Sequence, residues 1–399
     1  MSPGTILDGR YRLEESLESG GFSSVWTATD TARQSTTTVV VKTPSNGTNA
    51  QIEIEAAFER EQRFIQRFYD ALQPTSIARQ IDWGTEGSEP FVVYERLDGQ
   101  PLDRALTDGT VGTDTSTVER ILVPLCHAIA FFHLNDYLYL DLKPENVVLV
   151  DTATPVVLDF NMAVPATGAD GRVVHQDGYR PPEQTPSGDG EISARSDVYA
   201  CGALLYRLVT GSEPSTHRAE LPLRPRRVSR CPESLACVVR RATARRPERR
   251  YSDAVELLAA LVEGLDHPGY PVGLYHPASD THVPVGPSTQ VGRATDRGRR
   301  PDLWLADTDR YLSPVHFRLA GPTRSGTWRL VDESTNGTYV DNGRDVQYVL
   351  SEQGYRRLAS NPDVTEPAVP PPTETTLSDG DRILPVATEY DHEFVFHTM

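Results

Sequence analysis

Strand-like and helix-like stretches alternate along residues 1–265. Two runs rich in β-branched or aromatic residues predict strands, namely TTTVVVKT at 36–43 and PFVVYERL at 90–97. Four longer segments predict helices by their composition or apolar periodicity, at 49–72, 117–135, 196–211 and 252–265. This part of the chain is therefore expected to contain both strands and helices.

The pattern changes at about residue 266. Residues 266–286 are rich in Pro, Gly, Ser and Thr, and this composition predicts a linker. Short alternating segments separated by turn residues follow, from DLWLA at 302–306 to EFVFH at 393–397, and they predict an all-β sandwich over 287–399. A long insertion near 344–376 interrupts the sandwich. Its proline-rich second half is predicted to be mobile, because proline cannot supply ladder hydrogen bonds.

The charge of the chain narrows the choice of partner. The formal net charge is −17 at pH 7, which argues against a nucleic-acid partner because such partners require basic surfaces. Only two of the 39 basic residues are lysines, Lys42 and Lys143. A GC-rich genome or adaptation to a salty cytoplasm could account for this bias, and the acid excess leads us to expect a halophilic protein. The two remaining lysines are expected to supply a compact ammonium charge that arginine cannot.

Cysteine usage and hydropathy indicate the compartment. The four cysteines form no CxxC pair, and we expect reduced thiols. The sequence shows neither an N-terminal signal peptide nor a run of 18 apolar residues, so it predicts no membrane span. We therefore expect a soluble, cytoplasmic protein.

A series of motifs in the first 265 residues carries a resemblance to a known family. The catalytic-loop motif DLKPEN at 141–146 is followed by DFN at 159–161. Other matches in the same order are VVVK with Lys42, FEREQRF with Glu61, YRPPE with Glu183, SDVYACG with Asp197 and RPERRY with Arg250. Together they resemble the eukaryotic-type (Hanks-type) Ser/Thr protein kinases. The resemblance implies an α+β bilobal protein-kinase fold over 1–265, followed by the all-β sandwich.

The resemblance also implies roles in phosphoryl transfer from ATP, a reaction that depends on positioning and charge neutralisation. Lys42, oriented by an ion pair with Glu61, would hold the α- and β-phosphates. Asn146 and Asp159 would bind Mg²⁺, a hard cation that prefers oxygen ligands.

The catalytic loop supplies the groups closest to the reaction. By the same resemblance, Asp141 would orient the acceptor hydroxyl and take its proton, and Lys143 would reach the γ-phosphate. The other nucleotide-binding positions that the family implies are Gly20, Gly21, Val25 and the backbone of Glu95 and Leu97, with Tyr94 as the gatekeeper.

Several positions depart from the family pattern. The glycine-rich loop reads ESGGFSSVW, with Glu18 and Ser23 in place of two glycines, so weaker ATP binding is expected. Tyr139 and Leu140 stand where the family has His-Arg before the catalytic aspartate. Leu140 cannot receive an activation-loop phosphate, and we therefore expect that phosphorylation of this loop does not switch the protein. Asn161 replaces the glycine of DFG, a mild change because asparagine tolerates unusual backbone angles.

A second resemblance lies in the predicted sandwich. The motifs VGR at 291–293, SPVHF at 313–317, DESTNGTYVDN at 332–342 and LSDGDRI at 377–383 resemble the forkhead-associated (FHA) domain. That family binds phosphothreonine peptides through its end loops. By position, Arg293, Ser313 and Thr335 would contact the phosphate and Asn336 would hold the peptide backbone. Gly292, His316 and Gly337 are interpreted as scaffold.

The sequence thus predicts an ATP- and Mg²⁺-dependent Ser/Thr protein kinase with a phosphothreonine-binding FHA domain. Its expected partners are protein substrates and phosphothreonine proteins, or its own chain phosphorylated in the insertion, where Thr365, Thr373, Thr375 and Thr376 lie. One alternative is a pseudokinase scaffold that binds nucleotide without transfer. Another is a kinase of small-molecule hydroxyls, which the KPEN loop and the FHA domain disfavour.

Overall fold

A computed structural model gives the fold of the chain. It describes residues 1–19, 23–32, 37–45, 51–150, 154–167, 178–185, 191–215, 221–225, 231–265, 272–295, 300–307, 310–360, 369–386 and 392–399.

The N-terminal lobe is a twisted sheet with one long helix. Its elements are β1 Ile6–Leu7, β2 Tyr11–Ser19, β3 Ser23–Asp30, β4 Thr37–Pro44, α1 Gln51–Phe68, β5 Gln73–Pro74, β6 Gln80–Glu86 and β7 Glu89–Glu95. Six strands form an antiparallel sheet in the order β1-β2-β3-β4-β7-β6. The β-branched run of β4 buries Val39 and Val41, as expected for a strand with a covered face. The predicted strands at 36–43 and 90–97 and the predicted helix at 49–72 are therefore confirmed.

The second lobe, called the large lobe below, is mainly helical. Its elements are β8 Gly99–Pro101, α2 Leu102–Thr107, α3 Thr115–Thr117, α4 Val123–Leu134, β9 Tyr137–Leu138, β10 Val147–Val150, β11 Thr154–Val157, β12 Val164–Pro165, α5 Ala194–Thr210, α6 Glu233–Ala242 and α7 Ala254–Gly264. Helix α5 is buried along most of its length. It ends at Gly211, whose φ of 69° is the left-handed conformation that glycine adopts without strain.

One apolar helical run crosses the centre of this lobe. Among the described residues, only Thr115–Leu134 is long and apolar enough to span a membrane by length and composition. In the fold, 61% of this apolar stretch is buried inside the protein, as in the core helix of a folded domain. Leu125, Ile129 and Phe132 are fully buried there.

A buried ion pair holds the large lobe together. Arg250 donates to Glu183 through two nitrogens, at 2.6 and 2.9 Å, and both side chains are 0% exposed. Arg250 also donates to the backbone carbonyl of Arg195 at 2.9 Å, while Ser196 donates to Glu183 at 3.0 Å. These extra hydrogen bonds compensate the desolvation of both charges.

The C-terminal part is a β-sandwich with one helix. Its elements are β13 Val272–His276, β14 Thr281–Val285, β15 Gln290–Arg293, β16 Leu303–Leu305, β17 Phe317–Ala320, β18 Trp328–Asp332, β19 Thr338–Asp341, β20 Val346–Val349, α8 Glu352–Ala359, β21 Glu374–Leu377, β22 Arg382–Pro385 and β23 Phe394–Thr398. One sheet has the order β14-β13-β23-β22-β19-β20, and the other has the order β21-β18-β17-β15-β16-β5. The predicted all-β class of this part is therefore confirmed.

The linker predicted at 266–286 is wrong from Val272 onwards. Strand β13 pairs with β14 on one side and with β23 on the other, so the sandwich begins well before residue 287. The prolines and glycines that suggested a linker are compatible with these strands. Pro284 lies in the edge strand β14, opposite Gly273, where its missing N–H costs no ladder hydrogen bond. Residues 266–271 lie outside the described residues.

The insertion near 344–376 is more ordered than predicted. Strand β20 and helix α8 occupy its first half. The end of its second half forms β21, which pairs with β18 from Val331↔Glu374 to Trp328↔Leu377. The prediction of mobility is therefore wrong for residues 374–376, where β-branched Thr375 and Thr376 follow the last proline and favour a strand. Residues 361–368 lie outside the described residues.

The sandwich continues into the N-terminal lobe through shared backbone hydrogen bonding. Strand β16 pairs with β5, with Leu303 opposite Pro74 and Trp304 opposite Gln73. The N–H of Thr75 then donates to the carbonyl of Asp302 at 2.9 Å. Buried side chains of both parts belong to one continuous hydrophobic cluster. The two parts are therefore packed together directly.

The sandwich also docks on the large lobe. The Asn135 side chain, just after α4, donates to the carbonyl of His282 at 2.8 Å and accepts from its N–H at 3.0 Å. This amide satisfies the edge of β14 as a neighbouring strand would. The ring of His127 on α4 contacts the carbonyl of Pro284 at 3.4 Å, and burial lowers the pKa of His127 to about 4. A neutral imidazole is therefore present at this contact near pH 7.

We predict that Glu183→Gln lowers the free energy of unfolding of the large lobe by about 3–5 kcal/mol, because it leaves the buried Arg250 charge without its carboxylate. Urea denaturation at constant salt measures the change. The matched control is Glu374→Gln, which breaks an exposed pair with Arg329 and should cost less than about 1 kcal/mol. Equal losses in the two variants would contradict the prediction.

Candidate functional site

Three charged side chains from three parts of the fold meet at the junction of the two lobes. Nζ of Lys42, on β4, lies 2.9 Å from Oε2 of Glu61 on α1. It also lies 2.7 Å from Oδ1 of Asp159, which follows β11. Lys42 is 6% exposed and Glu61 is 0% exposed. The sequence-predicted pair is therefore formed, and it is joined to the aspartate of the DFN motif. Asp159 has a φ of 58°, an unusual backbone conformation for a non-glycine residue.

Burial and charge act against each other in this cluster. Burial alone would lower the pKa of Lys42, but the carboxylates of Asp159 and Glu61 raise it. Burial raises the pKa of Glu61, while Lys42 opposes that shift. Burial also disfavours the charge of Asp159, yet Lys42 lowers its pKa. Lys42 is thus a permanent cation at neutral pH, and Asp159 is its ionised partner.

The gatekeeper residue joins this cluster. The Tyr94 hydroxyl, on β7, donates a hydrogen bond to Oε1 of Glu61. Burial and the adjacent carboxylate raise the pKa of Tyr94 far above its ordinary value, so the hydroxyl remains a donor. Sequence reasoning placed Tyr94 at the rim of the pocket but did not foresee this contact with Glu61.

The catalytic-loop residues also converge. Asp141 is 8% exposed. Its Oδ2 accepts from the Asn146 side chain at 2.7 Å and lies 3.2 Å from Nζ of Lys143. Asn146 also donates to the Asp141 carbonyl at 2.9 Å. The site thus brings together Asp141, Lys143 and Asn146 as the motif spacing predicts.

An arginine that sequence reasoning missed contacts the same aspartate. The Arg180 guanidinium lies 2.5 Å from Oδ1 of Asp141. Arg180 belongs to the YRPPE motif, which the sequence identified only for its glutamate. The loss of arginine at Leu140 could have directed attention to an arginine elsewhere near the loop, but spacing alone does not place Arg180 on Asp141.

The backbone of the catalytic loop is held by a carboxylate on α5. The Asp197 carboxylate on α5 accepts from the N–H groups of Tyr139 and Leu140 at 2.9 and 2.7 Å. The His133 ring lies 3.0 Å from the same carboxylate. These contacts hold Leu140 at a φ of 66°, a conformation that leucine rarely adopts.

The two departures before Asp141 have distinct structural roles. Tyr139 is fully buried, and its hydroxyl donates to the Leu158 carbonyl at 2.5 Å. Leu140 is buried in a small apolar cluster with Leu138 and Ile192. A buried leucine offers no donor to a phosphate, which supports the expectation that this position has no part in loop phosphorylation.

Aromatic rings connect α1 to the catalytic loop. Phe160 of the DFN motif stacks on Phe64 of α1 with ring centroids 4.9 Å apart. Phe64 also stacks on Phe132 at 4.9 Å, and Tyr139 lies 5.4 Å from Phe132 and 6.2 Å from Phe160. Movement of α1 would therefore disturb the rings of Phe160 and Tyr139, which lie next to Asp159 and two residues before Asp141 in the chain.

The predicted nucleotide-binding positions are only partly described. Val25 on β3 lies opposite Lys42 on β4. Glu95 ends β7, and Leu97 follows it and packs against the core. Gly20 and Gly21 lie outside the described residues.

Asn146 and Asp159 offer the oxygen atoms that the predicted Mg²⁺ would require. Because Asn146 donates its amide hydrogens to Asp141, its Oδ1 is the atom left to accept. Asp159 uses Oδ1 for Lys42 and for the Asn161 N–H. Carboxylate and amide oxygens suit a hard divalent cation, so this donor set fits Mg²⁺. Among the described residues, no group of three or more His, Cys, Asp and Glu side chains could hold a metal.

The predicted phosphothreonine-binding residues lie on neighbouring loops of the sandwich. Arg293 ends β15, and its N–H donates to the Ser313 carbonyl at 3.1 Å. The Ser313 hydroxyl accepts from the Thr335 N–H at 3.4 Å. Asn336 is exposed, and its side chain donates to the Tyr311 carbonyl at 3.3 Å. The structure therefore brings the loops of all four predicted residues together.

The residues interpreted as scaffold tie these loops. The fully buried His316 accepts from the Ser313 N–H at 3.1 Å and contacts the Gly337 carbonyl at 3.1 Å. Burial lowers the pKa of His316, which favours the neutral ring that both contacts require. A side chain on Gly292 would place its Cβ 2.2 Å from the Pro314 carbonyl oxygen, so only glycine fits.

Comparisons with protein families agree with this geometry. The model of the protein kinase domain matches residues 11–264, and the model of the FHA domain matches residues 289–356. The solved structure titled "PpkA-294 apo form" superposes with a TM-score of 0.54 at 22% identity, covering 65% of this chain and 99% of that chain.

Curated relatives include bacterial kinases. Serine/threonine-protein kinase PknB of Mycobacterium tuberculosis is 29% identical over an alignment that covers 96% of this chain and 66% of PknB. Serine/threonine-protein kinase PknL of Mycobacterium bovis is 28% identical, with 67% of this chain and 69% of PknL covered. The chain thus spans slightly less than two thirds of the length of PknB.

We predict that Tyr139→Phe destabilises the large lobe by about 1–3 kcal/mol, because the buried Leu158 carbonyl loses its donor. Urea denaturation measures the loss. Tyr137→Phe is the matched control, since Tyr137 makes edge contacts with Phe64 and Phe68 that a phenyl ring retains. An unchanged unfolding midpoint for Tyr139→Phe would show that the hydroxyl has no structural role.

Proposed function

The chain belongs to the protein kinase family and carries an FHA domain behind its kinase domain, and from this premise we propose that it is an active enzyme. In this proposal it transfers the γ-phosphoryl group of ATP to serine or threonine hydroxyls of proteins. The FHA domain recognises phosphothreonine on its partners.

The observation that carries the proposal is the completed contact of Lys42 with Glu61 and Asp159. Phosphoryl transfer requires the strand lysine, the helix glutamate and the metal-binding aspartate in one arrangement. This arrangement buries the charges of Lys42 and Glu61 and partly buries that of Asp159, which is costly unless each is compensated. A scaffold that does not transfer phosphate has no need of it, so its presence favours the enzyme over the pseudokinase.

The residues divide the work of the reaction. Lys42 binds the phosphates of ATP, and Glu61 orients Lys42. Asn146 and Asp159 would hold Mg²⁺, which neutralises the charge of the phosphates. Lys143 adds a further cation 3.2 Å from Asp141, where it would bind the γ-phosphate. Glu61 holds Lys42, and Asn146 holds Asp141, at the junction of the lobes. These groups are therefore positioned before the acceptor arrives.

Asp141 orients the acceptor hydroxyl and accepts its proton. Its Oδ2 is already engaged by Asn146 and Lys143, while Oδ1 faces Arg180. An acceptor that approaches Oδ1 must therefore displace the Arg180 guanidinium or share the oxygen with it. In this proposal Arg180 therefore lies at the entrance for the substrate hydroxyl.

The kinase domain does not use an activation-loop phosphate in this proposal. Leu140 occupies the position that receives such a phosphate in the family, and it is buried among apolar residues. Contacts already present in the unphosphorylated chain hold the catalytic groups.

The FHA domain is proposed to bind phosphothreonine on other proteins. Arg293 supplies the planar donor fork, Ser313 and Thr335 supply hydroxyls, and Asn336 holds the peptide backbone. Capture of the chain's own Thr375 or Thr376 is disfavoured, because both lie in β21 and would have to leave the sheet. Thr365 lies outside the described residues.

We predict that Asp141→Asn abolishes transfer of labelled phosphate from Mg²⁺-ATP but leaves nucleotide binding intact. The assay follows label in the chain itself and in a generic protein acceptor, from low to molar KCl, because we propose a cytoplasm of high salt. Glu145→Gln in the same loop is the control and should retain transfer. Nucleotide binding by the wild type without transfer at any salt concentration would establish the pseudokinase instead.

We predict that Arg293→Ala weakens binding of a degenerate phosphothreonine peptide library about 10- to 100-fold, because a charge-assisted contact with phosphate is lost. Fluorescence anisotropy measures the dissociation constants. Arg329→Ala is the matched control, because Arg329 is a half-buried arginine of the same domain that pairs with Glu374 away from the predicted phosphate site. Equal affinity for phosphorylated and unphosphorylated peptides in the wild type would refute phosphothreonine recognition.

A further inference from the structure

We infer that the FHA domain positions the kinase active site, and that Arg67 is the positioning residue through which it holds Glu61 against Lys42. The inference rests on the proposed kinase function, and it assigns the FHA domain a task within its own chain. It follows from the contacts that this domain makes with the end of α1, with β5 and with the large lobe.

The end of α1 is held by the FHA domain. Arg67, in the last turn of the helix, donates to the carbonyls of Ser279 and Asp280, at 2.8 Å each. Both carbonyls belong to the short connection between β13 and β14. Glu61 lies on the same helix, about 9 Å along its axis from Arg67. A rigid helix transmits a constraint over this distance.

The segment that follows α1 is held as well. Gln73 of β5 donates its side-chain amide to the carbonyl of Phe68, the last residue of α1. The same residue lies opposite Trp304 of β16. The helix end, β5 and the FHA sheet therefore form one hydrogen-bonded unit.

The FHA domain can act as a support because it is also fastened to the large lobe. The Asn135 side chain makes two hydrogen bonds to the backbone of His282, at 2.8 and 3.0 Å. The lobe that carries Asn135 also carries Asp141 and Asp159. The FHA domain thus fixes the position of α1 relative to the large lobe. Glu61 on α1, and Lys42 which it orients, must be aligned with Asp141 and Asp159 of that lobe.

The same domain reaches the strand expected to contact adenine. Nη2 of Arg300 lies 2.9 Å from Oε2 of Glu95, at the end of β7. Arg79, which precedes β6, lies over the Trp304 ring with its guanidinium carbon 5.5 Å from the ring centroid. The FHA domain therefore contacts the N-terminal lobe at the end of α1 and also at the end of β7, where Glu95 is expected to meet adenine.

The contacts with the FHA domain stabilise an arrangement that, in this chain, a loop phosphate bound at residue 140 cannot stabilise. The position of the helix glutamate and the order of the activation loop together control kinase activity. A loop phosphate cannot be received at Leu140, so another contact must stabilise the arrangement. The fused domain supplies that contact permanently.

The test compares Arg67→Ala with Arg63→Ala, both in the whole 399-residue chain. Arg63 lies on the same helix but is exposed, and it pairs only with Glu59 in the described structure. Arg67→Lys is a third variant, which keeps the charge but loses the planar fork. Three properties are measured: amide hydrogen exchange of residues 54–66, affinity for a non-hydrolysable Mg²⁺-ATP analogue, and kcat and KM for a protein acceptor.

For Arg67→Ala we expect faster amide exchange in α1 and nucleotide affinity about 5- to 30-fold weaker, the effect of losing two charge-assisted hydrogen bonds. The value of kcat should fall while KM for the protein acceptor is unchanged. Arg67→Lys should be intermediate, and Arg63→Ala should match the wild type. Phosphothreonine-peptide affinity and the unfolding midpoint of the FHA domain should not change.

Identical exchange and nucleotide affinity in Arg67→Ala and Arg63→Ala would overturn the inference. A general loss of protection across both domains in Arg67→Ala and Arg67→Lys would also overturn it, because Arg67 would then serve overall stability. The exchange measurement does not require phosphoryl transfer. If the wild type proved inactive, that result would refute the proposed kinase activity and would leave the positioning role to be decided by exchange alone.

Discussion

The buried contact of Lys42 with Glu61 and Asp159 is the constraint on which the rest of the site depends. A lysine with 6% exposure is stable there only if both carboxylates reach it, and they come from α1 and from the segment after β11. The sheet, the helix and the large lobe must therefore keep fixed relative positions. Much of what departs from the family pattern in this chain can be understood as a means of keeping these relative positions fixed.

The large lobe meets this constraint without the usual His-Arg pair before Asp141. Asp197 holds the loop backbone, and Tyr139 binds the Leu158 carbonyl just before Asp159. The ring of Phe160 joins the same region to α1. Leu140 gives up the ability to bind a phosphate and contributes apolar packing instead. The loop is therefore ordered by contacts already present within the unphosphorylated chain.

Much of this arrangement could be predicted from the sequence, because the catalytic motifs are local. The DLKPEN motif, the two lysines and the S-T-N-G-T core each place several functional groups within a few residues. Strands β13 and β14 could not be predicted, because their prolines and glycines conceal the alternation that a paired strand shows. The contacts of Arg67, Arg180 and Arg300 were also out of reach. Each joins residues far apart in the chain, and in a chain whose basic residues are almost all arginines nothing distinguishes these three.

The most direct test of the account is the time course of phosphate transfer by a fully dephosphorylated chain. The protein is treated with a phosphatase, the phosphatase is removed, and label transfer from Mg²⁺-ATP to a protein acceptor is followed from the first turnover. The account predicts a linear time course without a lag, at a rate that prior incubation with ATP does not change. A lag that shortens as the protein concentration rises would contradict it, because the active arrangement would then require phosphorylation of one chain by another.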